Sequence, residues 1–262
     1  MSTTRSAPPL TDPSSRSETL APRRRVVDAP TRTFHWLFAL TFSAAYLTGE
    51  SERWQLVHVT LGYLLAGLLG FRLLYGVFGP RHARLGRWFG RVAAAPAWLR
   101  TLASARSPAT PDWRQGANLA AAAVIVGIMA LVAPLVLSGY GTYKEWGGTL
   151  GSDWLEEVHE WFGNALLAIV IAHVGLLAVL SLLRRQNQAL SMLTGHVSGA
   201  GPDLVRRNRA WLAALIFLAV VAFGTWQWLD SPGGLLPDRD ITAGLTVHKH
   251  EKVRGRRHDD DD

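Results

Sequence analysis

The stretch WLEEVHEWFGNALLAIVIAHVGLLAVLSLLRR, residues 154–185, is long and apolar enough to cross a membrane as a helix, yet it contains His159 and His173. An ionisable side chain inside a bilayer-spanning helix is costly, so it usually faces the interior of a bundle and marks a function. Fourteen residues of α-helix rise about 21 Å and complete nearly four turns. The two imidazoles are therefore predicted to lie on one face of this helix at two depths.

The composition indicates a polytopic membrane protein. Hydrophobic residues make up 48% of the 262 residues and charged residues 18%, and the apolar residues are gathered into long blocks. The chain has no cysteine, which excludes disulfides, zinc–thiolate sites, iron–sulfur clusters and covalent haem attachment. The net charge of +7 does not indicate a nucleic-acid partner, because the arginines lie between apolar blocks rather than on one basic domain.

Five apolar blocks approach the length of about 20 residues that a transmembrane helix needs. They cover residues 31–49, 55–78, 116–138, 157–183 and 210–229. Arginines are concentrated before the first block, between the second and third, and between the fourth and fifth, whereas acidic residues occupy the other two loops. Short cytoplasmic loops carry the Lys/Arg excess. The N-terminus is therefore predicted to be cytoplasmic and the C-terminus to lie outside.

The segments beyond the spans have other compositions. Residues 1–25 are rich in Ser, Thr, Pro and Arg and are predicted to form a disordered tail. Residues 231–262 form a polar tail with His248, His250, His258 and four terminal aspartates, for which a solvated tail is favoured over a metal site. Arginines and aromatic residues alternate in RWFGRVAAAPAWLRTLA, residues 87–103, which fits either an amphipathic segment on the inner membrane surface or a plain basic loop.

Two further histidines match the depths of the first two. His35 lies just inside the cytoplasmic start of the first span, and His58 just inside the outer start of the second. The fourth span begins outside, which places His159 near the outer surface and His173 in the inner half. Depth therefore predicts that His58 meets His159 and that His35 meets His173, because any other pairing would bridge opposite leaflets.

Paired imidazoles in spans whose interiors contain no carboxylate favour haem iron over the other uses of histidine. A proton relay normally includes carboxylates, and zinc needs further ligands, but none of the spans contains an Asp or Glu in its interior. A macrocycle also needs the space that small residues leave, and small residues follow the histidines on the second and fourth spans: Gly62, Ala66, Gly67, Gly70, Gly163, Ala165 and Ala168. His82 and His196, in the arginine-rich cytoplasmic connections, are interpreted as bystanders near solvent or lipid headgroups.

Three stretches resemble one known family. VVDAPTRTFHWLFALTFSAAYLTGE, HVTLGYLLAGLLGFRLLYGVFGPRHARLGRWF and WLEEVHEWFGNALLAIVIAHVGLLAVLSLLRRQNQALSMLTG are similar to bacterial cytochromes b561 and to the b-type cytochrome subunits of nickel–iron hydrogenases. The resemblance covers roughly residues 26–196. It implies a four-helix bundle with two non-covalent b haems, each held by two histidines, which fall here on His35 with His173 and on His58 with His159. SPATPDWRQGANLA stands where many relatives have a Gly-His-Asn-Pro turn.

These observations lead to an all-α transmembrane fold, with a four-helix haem-binding bundle at 26–196 and a loop and fifth helix at 197–230. The expected function is electron transfer between the quinone pool and a redox partner, such as a c-type cytochrome or another redox subunit, in the bacterial inner membrane. Two alternatives remain open. One is a self-contained oxidoreductase that couples a small molecule such as superoxide to quinone, and the other is a haem-free membrane anchor.

Overall fold

The computed structural model describes residues 23–104, 112–199 and 201–231, which are almost entirely helical. This confirms the predicted all-α class. Residues 1–22 and 232–262, and with them most of both predicted tails, lie outside the described part, as do residues 105–111 of the divergent turn. The elements, in chain order, are β1 (Arg23–Arg25), α1 (Ala29–Thr48), α2 (Gln55–Phe78), α3 (Gly86–Ala93), α4 (Ala95–Ala103), α5 (Trp113–Tyr143), α6 (Gly148–Arg184), α7 (Leu190–Thr194), β2 (His196–Ser198) and α8 (Ala210–Asp230).

Long helices cover all five predicted spans. Within the described ranges, four of them are long and apolar enough to cross a membrane: α2 with the short 3-10 turn before it, α5, α6 and α8. The first, α1, is not among the four, because Arg32, His35 and several hydroxyl groups lower its hydropathy. The Pro134 ring lies inside α5 without ending it. A five-span topology, and the orientation of the two termini, remain predictions.

Local sequence explains where the first helix begins. Asp28 has an extended backbone, and its carboxylate accepts a hydrogen bond from the backbone N–H of Thr31 at 3.2 Å. This is the usual way in which an N-cap satisfies a free donor of the first turn. Pro30 follows in the first turn, where the missing N–H of proline is not needed.

The helices pack as two antiparallel pairs with one helix added. The helices α1 and α2 pack together, α5 and α6 form the second pair, and α5 also contacts α2. Apolar side chains from five helices form one core, with members that include Phe38, Leu65, Val132, Leu166 and Ile216. Ile216 belongs to α8, which packs along α1. The fifth predicted span therefore lies directly against the four-helix core.

A two-stranded antiparallel sheet closes the end at which α1 begins. Arg23 pairs with Ser198 and Arg25 with His196. The backbone N–H of Arg25 donates to the carboxylate of Asp203 at 2.6 Å, and the N–H of Val26 donates to the carbonyl of Gly195 at 2.9 Å. Residues 23–25 were assigned above to the disordered tail, and the structure instead shows an ordered strand. Its partner strand is distant in sequence, so local composition could not indicate the pairing.

The arginine-rich connection after α2 forms the two short helices α3 and α4. Neither contains a buried residue, and both lie against α5. The indole N–H of Trp98 donates to the carbonyl of Asp112 at 3.2 Å, which fixes α4 beside the start of α5. The amphipathic interpretation is thus compatible with two exposed surface helices.

Candidate functional site

The structure brings His58 and His159 together. His58 lies in the first turn of α2 and His159 in the N-terminal third of α6, and the centroids of their rings are 5.8 Å apart with an angle of 87° between the ring planes. Both side chains are half-buried. These two residues were paired above from their depth alone, and they lie 101 positions apart in the chain.

Hydrogen bonds to the backbone orient both rings. The Nδ1 atom of His58 lies 2.9 Å from the carbonyl oxygen of Ala45, and the Nδ1 atom of His159 lies 2.9 Å from that of Leu135. A carbonyl can only accept, so each Nδ1 must carry the proton. The Nε2 lone pair of each neutral ring is then free for a metal, which is the arrangement that metal-binding histidines usually adopt.

The second predicted pair, His35 and His173, which the sequence places in the inner half of the membrane, has a different environment. His35 lies in the second turn of α1 and contacts the edge of Trp36, with 5.3 Å between ring centroids. Its buried Nδ1 atom has no hydrogen-bond partner among the described residues. His173, half-buried on α6, is near enough to interact electrostatically with His35. An orphaned buried nitrogen is costly, and it indicates that this pair is adapted to a bound group.

Each pair provides two ligands and no more. Across the described ranges, no three side chains of His, Cys, Asp or Glu converge in a group able to hold a metal ion. A structural zinc ion takes four protein ligands and a catalytic one takes three. Two opposed imidazoles instead match the two axial positions of haem iron, whose other ligands come from the porphyrin itself.

The packing of α6 leaves room for a planar group. In the described part of the chain, α6 packs along α5 and has at most marginal backbone contact with α1 or α2. Side chains cross the resulting gap: the Tyr46 hydroxyl on α1 donates to the amide oxygen of Asn164 on α6 at 2.9 Å. Gly62, one turn after His58, would tolerate a methyl group without any contact within 4 Å beyond its own helix. The residues present therefore fit a haem at each pair.

The small residues do not all contribute to this space. Gly67 is exposed and lies nine residues after His58, which is half a turn away from the histidine face. A Cβ atom at Gly163 would touch Leu135 at 3.9 Å, so this glycine faces α5. Among the described glycines, Gly139 on α5 makes the closest approach to a paired histidine, and no local sequence signal predicts this. A Cβ atom there would lie 2.6 Å from Cε1 of His159.

Near the beginning of α1, the structure also reveals a polar cluster that sequence reasoning missed. The Asp28 side chain is fully buried and accepts hydrogen bonds from the Tyr75 hydroxyl and from Nε2 of His82, the latter at 2.9 Å. The guanidinium group of Arg72, also buried, lies near Asp28 and donates to the carbonyl of Ala83 at 3.1 Å. The sequence predicts that His82 is a neighbour of solvent or headgroups; the structure shows that 16% of its side chain is exposed, and that its ring also binds the buried Asp28. The only local signal was an aspartate before Ala-Pro at a helix start.

Hydrogen bonding decides the charge of the Asp28 carboxyl. Burial by itself would raise its pKa, but hydrogen bonds from Thr31, Tyr75 and His82, together with the charge of His82, lower the pKa below its ordinary value. The carboxylate is therefore ionised at neutral pH although it is buried.

Three further side chains, those of His196, Met129 and Tyr140, make contacts within the protein itself. His196 is on β2, and its Nδ1 atom lies 2.8 Å from the carbonyl oxygen of its neighbour Thr194. Met129 packs against the apolar core. Near the end of α5, Tyr140 contacts the rings of Tyr63 and Trp146, with centroid distances of 6.3 Å and 5.4 Å. These ring contacts by themselves do not indicate a bound ligand.

One comparison with known proteins identifies a relationship. The family model described as prokaryotic cytochrome b561 matches residues 26–195, from the residue after β1 to the end of α7. All four paired histidines lie inside the matched region, and α8 lies outside it. No curated protein and no solved structure matches the chain.

Proposed function

The chain belongs to the prokaryotic cytochrome b561 family, and from this premise we propose that it is a di-haem b-type cytochrome of the bacterial inner membrane. In this proposal it transfers electrons between the quinone pool and a redox partner, such as a c-type cytochrome. Family membership makes the protein a membrane-bound b-type cytochrome. The number of haems, their ligands, the quinone and the partner are the proposed part.

The observation that carries the proposal is the outer pair, His58 and His159. Two rings from helices with little mutual backbone contact meet across a gap, and each has its Nδ1 atom held by a backbone carbonyl. We assign these residues to an outer haem and His35 with His173 to an inner one. A haem held by these pairs would supply one-electron chemistry, and ligation by two protein side chains would favour electron transfer over oxygen chemistry.

The protein itself contributes orientation and spacing. The carbonyl groups of Ala45 and Leu135 hold two imidazoles in one tautomer before any metal binds, so less ordering is needed on binding. The two depths follow from the separation of His159 and His173 by 14 positions, about 21 Å along α6. Between His159 and His173, α6 contributes Leu166 to the apolar core, where it and Val132 of α5 are fully buried.

The proposal is tested by haem content and reduced-minus-oxidised spectra of the detergent-purified protein. We expect two non-covalent b haems per chain with six-coordinate, low-spin spectra. His58→Ala and His159→Ala should remove one and the same haem, and His35→Ala and His173→Ala the other. His196→Ala, a histidine change away from both pairs, is the matched control and should retain two haems.

Two results would contradict the proposal. A colourless protein, expressed with adequate haem supply, would favour the membrane-anchor alternative. Loss of different haems in His35→Ala and His173→Ala would refute the pairing. Reduction of the purified protein by a quinol analogue, compared with its reaction with superoxide, separates the electron-transfer function from the small-molecule oxidoreductase.

A further inference from the structure

The buried cluster around Asp28 is not explained by haem ligation or by helix capping. An asparagine or serine caps a helix as well as an aspartate does. A buried carboxylate, in contrast, is costly unless charged or hydrogen-bonded partners surround it. Here the partners of Asp28 are two further titratable side chains, Tyr75 and His82, with the buried guanidinium of Arg72 close by. Such a concentration of titratable groups indicates a role in handling protons.

We infer that Asp28, Tyr75 and His82 form a proton-exchange site, which takes up one proton from the cytoplasm when the inner haem site is reduced. This inference rests on the proposed di-haem function. It concerns a different set of residues from the haem ligands, and it can fail while that function stands.

The cluster has a connection to solvent. The His82 side chain keeps 16% of its surface exposed, whereas Asp28 behind it has none. His82 belongs to the arginine-rich connection between α2 and α3, which the distribution of arginines places on the cytoplasmic side. Histidine is the side chain that ordinarily exchanges its proton between pH 5 and 8. A proton can therefore pass between cytoplasmic water and the buried carboxylate through one imidazole.

The cluster also lies near His35, one member of the inner histidine pair. Asp28 and His35 are seven residues apart at the start of α1, so they lie on nearly the same face and about 10.5 Å apart along the axis. Aromatic rings fill the neighbouring space: Phe34 contacts Phe71 with 6.4 Å between ring centroids, and Phe71 stacks on Tyr75 at 5.5 Å. In this apolar environment, charges interact more strongly than they would in water.

The groups that face the cluster come from every element packed around it. They are the Thr31 N–H on α1, Tyr75 and Arg72 on α2, His82 in the following connection, and Arg209 before α8, which lies beside the Tyr75 hydroxyl. These interactions keep the pKa of Asp28 below its ordinary value, so the carboxylate is charged before reduction. One added electron nearby raises the affinity of the whole cluster for a proton.

The balance of this step is simple. One electron enters from the quinol or the redox partner, or from a chemical reductant in the test, and one proton enters from cytoplasmic water and stays on the cluster. No other bond is made or broken. Reoxidation releases the same proton. The reduction potential of the inner haem must then fall as pH rises, whereas that of the outer haem need not.

The test is a spectroelectrochemical titration of the full-length, haem-loaded protein between pH 6 and 8.5. The inner haem is identified by the absorption that His35→Ala removes. We expect its potential to fall with rising pH in the wild type, and His82→Gln and Asp28→Asn to abolish most of this slope. His82→Gln keeps a donor toward Asp28, and His196→Gln, on the same cytoplasmic side, is the matched control that should retain the slope.

The possible outcomes are distinct. A slope that disappears in both cluster variants and persists in His196→Gln supports the inference. A wild-type potential that does not depend on pH, or a slope that persists in both His82→Gln and Asp28→Asn, overturns the inference. The cluster would then have only a structural role, in holding α1, α2 and the following connection together. If Asp28→Asn loses the inner haem, His82→Gln and Tyr75→Phe decide, because both preserve the size of the side chain. A wild type without haem contradicts the proposed function itself, which is a different result.

Discussion

Replacing Gly139 by alanine should selectively weaken the outer haem site. A Cβ atom at this position would lie 2.6 Å from Cε1 and 2.8 Å from Nδ1 of His159. Carbon atoms in contact normally lie about 3.5–4.0 Å apart, so the imidazole must move by about 1 Å. The Nδ1 atom of the ring is held at 2.9 Å from the carbonyl of Leu135, and a shift of this size stretches that hydrogen bond beyond its useful range.

The expected magnitude follows from two contributions. Overpacking of a close contact costs about 1–3 kcal/mol, and the lost hydrogen bond about 0.5–1.5 kcal/mol. With about 1.4 kcal/mol for each factor of ten, the outer site should bind haem roughly ten-fold to a thousand-fold more weakly. The inner pair, about 21 Å away along α6, should be unaffected.

The assay is the haem content of the purified variant, with reduced-minus-oxidised spectra to show which haem is lost. Gly127→Ala is the matched control, because a Cβ atom there would also clash, at 2.5 Å, but with Cδ1 of Ile169, the flexible end of an apolar side chain. We expect Gly139→Ala to lose the haem that His159→Ala loses, and Gly127→Ala to keep both. Two haems with wild-type spectra in Gly139→Ala would refute the geometry inferred for His159.

Two further changes test other parts of the molecule. The pKa of Asp28 is lowered in the folded protein, so the ionised carboxylate stabilises the fold. This contribution is fully present above the ordinary aspartate pKa of about 3.9. It is lost as the pH falls through the lower pKa of the folded state. Thermal unfolding in detergent between pH 2 and 6 should therefore show a loss of stability in acid, and Asp28→Asn should reduce this loss. The same pH profile in the variant and the wild type would contradict an ionised Asp28. Tyr46→Phe removes the bond at 2.9 Å to Asn164 between α1 and α6 and should lower unfolding stability by about 0.5–1.5 kcal/mol with both haems retained; no measurable change would mean that this bridge does not hold α6 in place.

Much of the architecture was accessible from sequence because its signals are local. Long apolar blocks predict membrane helices without knowledge of their partners, and each of the five blocks forms a helix with ends within about ten residues of the expected ones, as expected when helix ends are set by caps and not by hydropathy. The depth of each histidine is likewise a property of its own helix. The proximity of His58 and His159 agrees with the depths predicted for them, although the two residues belong to distant segments of the chain.

Contacts between distant segments were not accessible. The burial of Asp28 depends on α2 and on the connection that carries His82, so composition alone suggested an exposed histidine. Similarly, β1 exists only because residues 196–198 lie beside it. The role of Gly139 depends on the rotation of α5 against α6, which the apolar surface of a membrane helix does not specify.

The sequence by itself thus determined the helical membrane class and the family, and it predicted four histidines at two depths, because apolar length, local motifs and helical periodicity are properties of single segments. Only the tertiary structure decided which backbone carbonyls orient the outer pair, which glycine admits the His159 ring, and how a carboxylate, a phenol and an imidazole meet in a buried cluster. These features depend on the rotation and spacing of packed helices. Such quantities are set by the sum of many side-chain contacts between segments far apart in the chain.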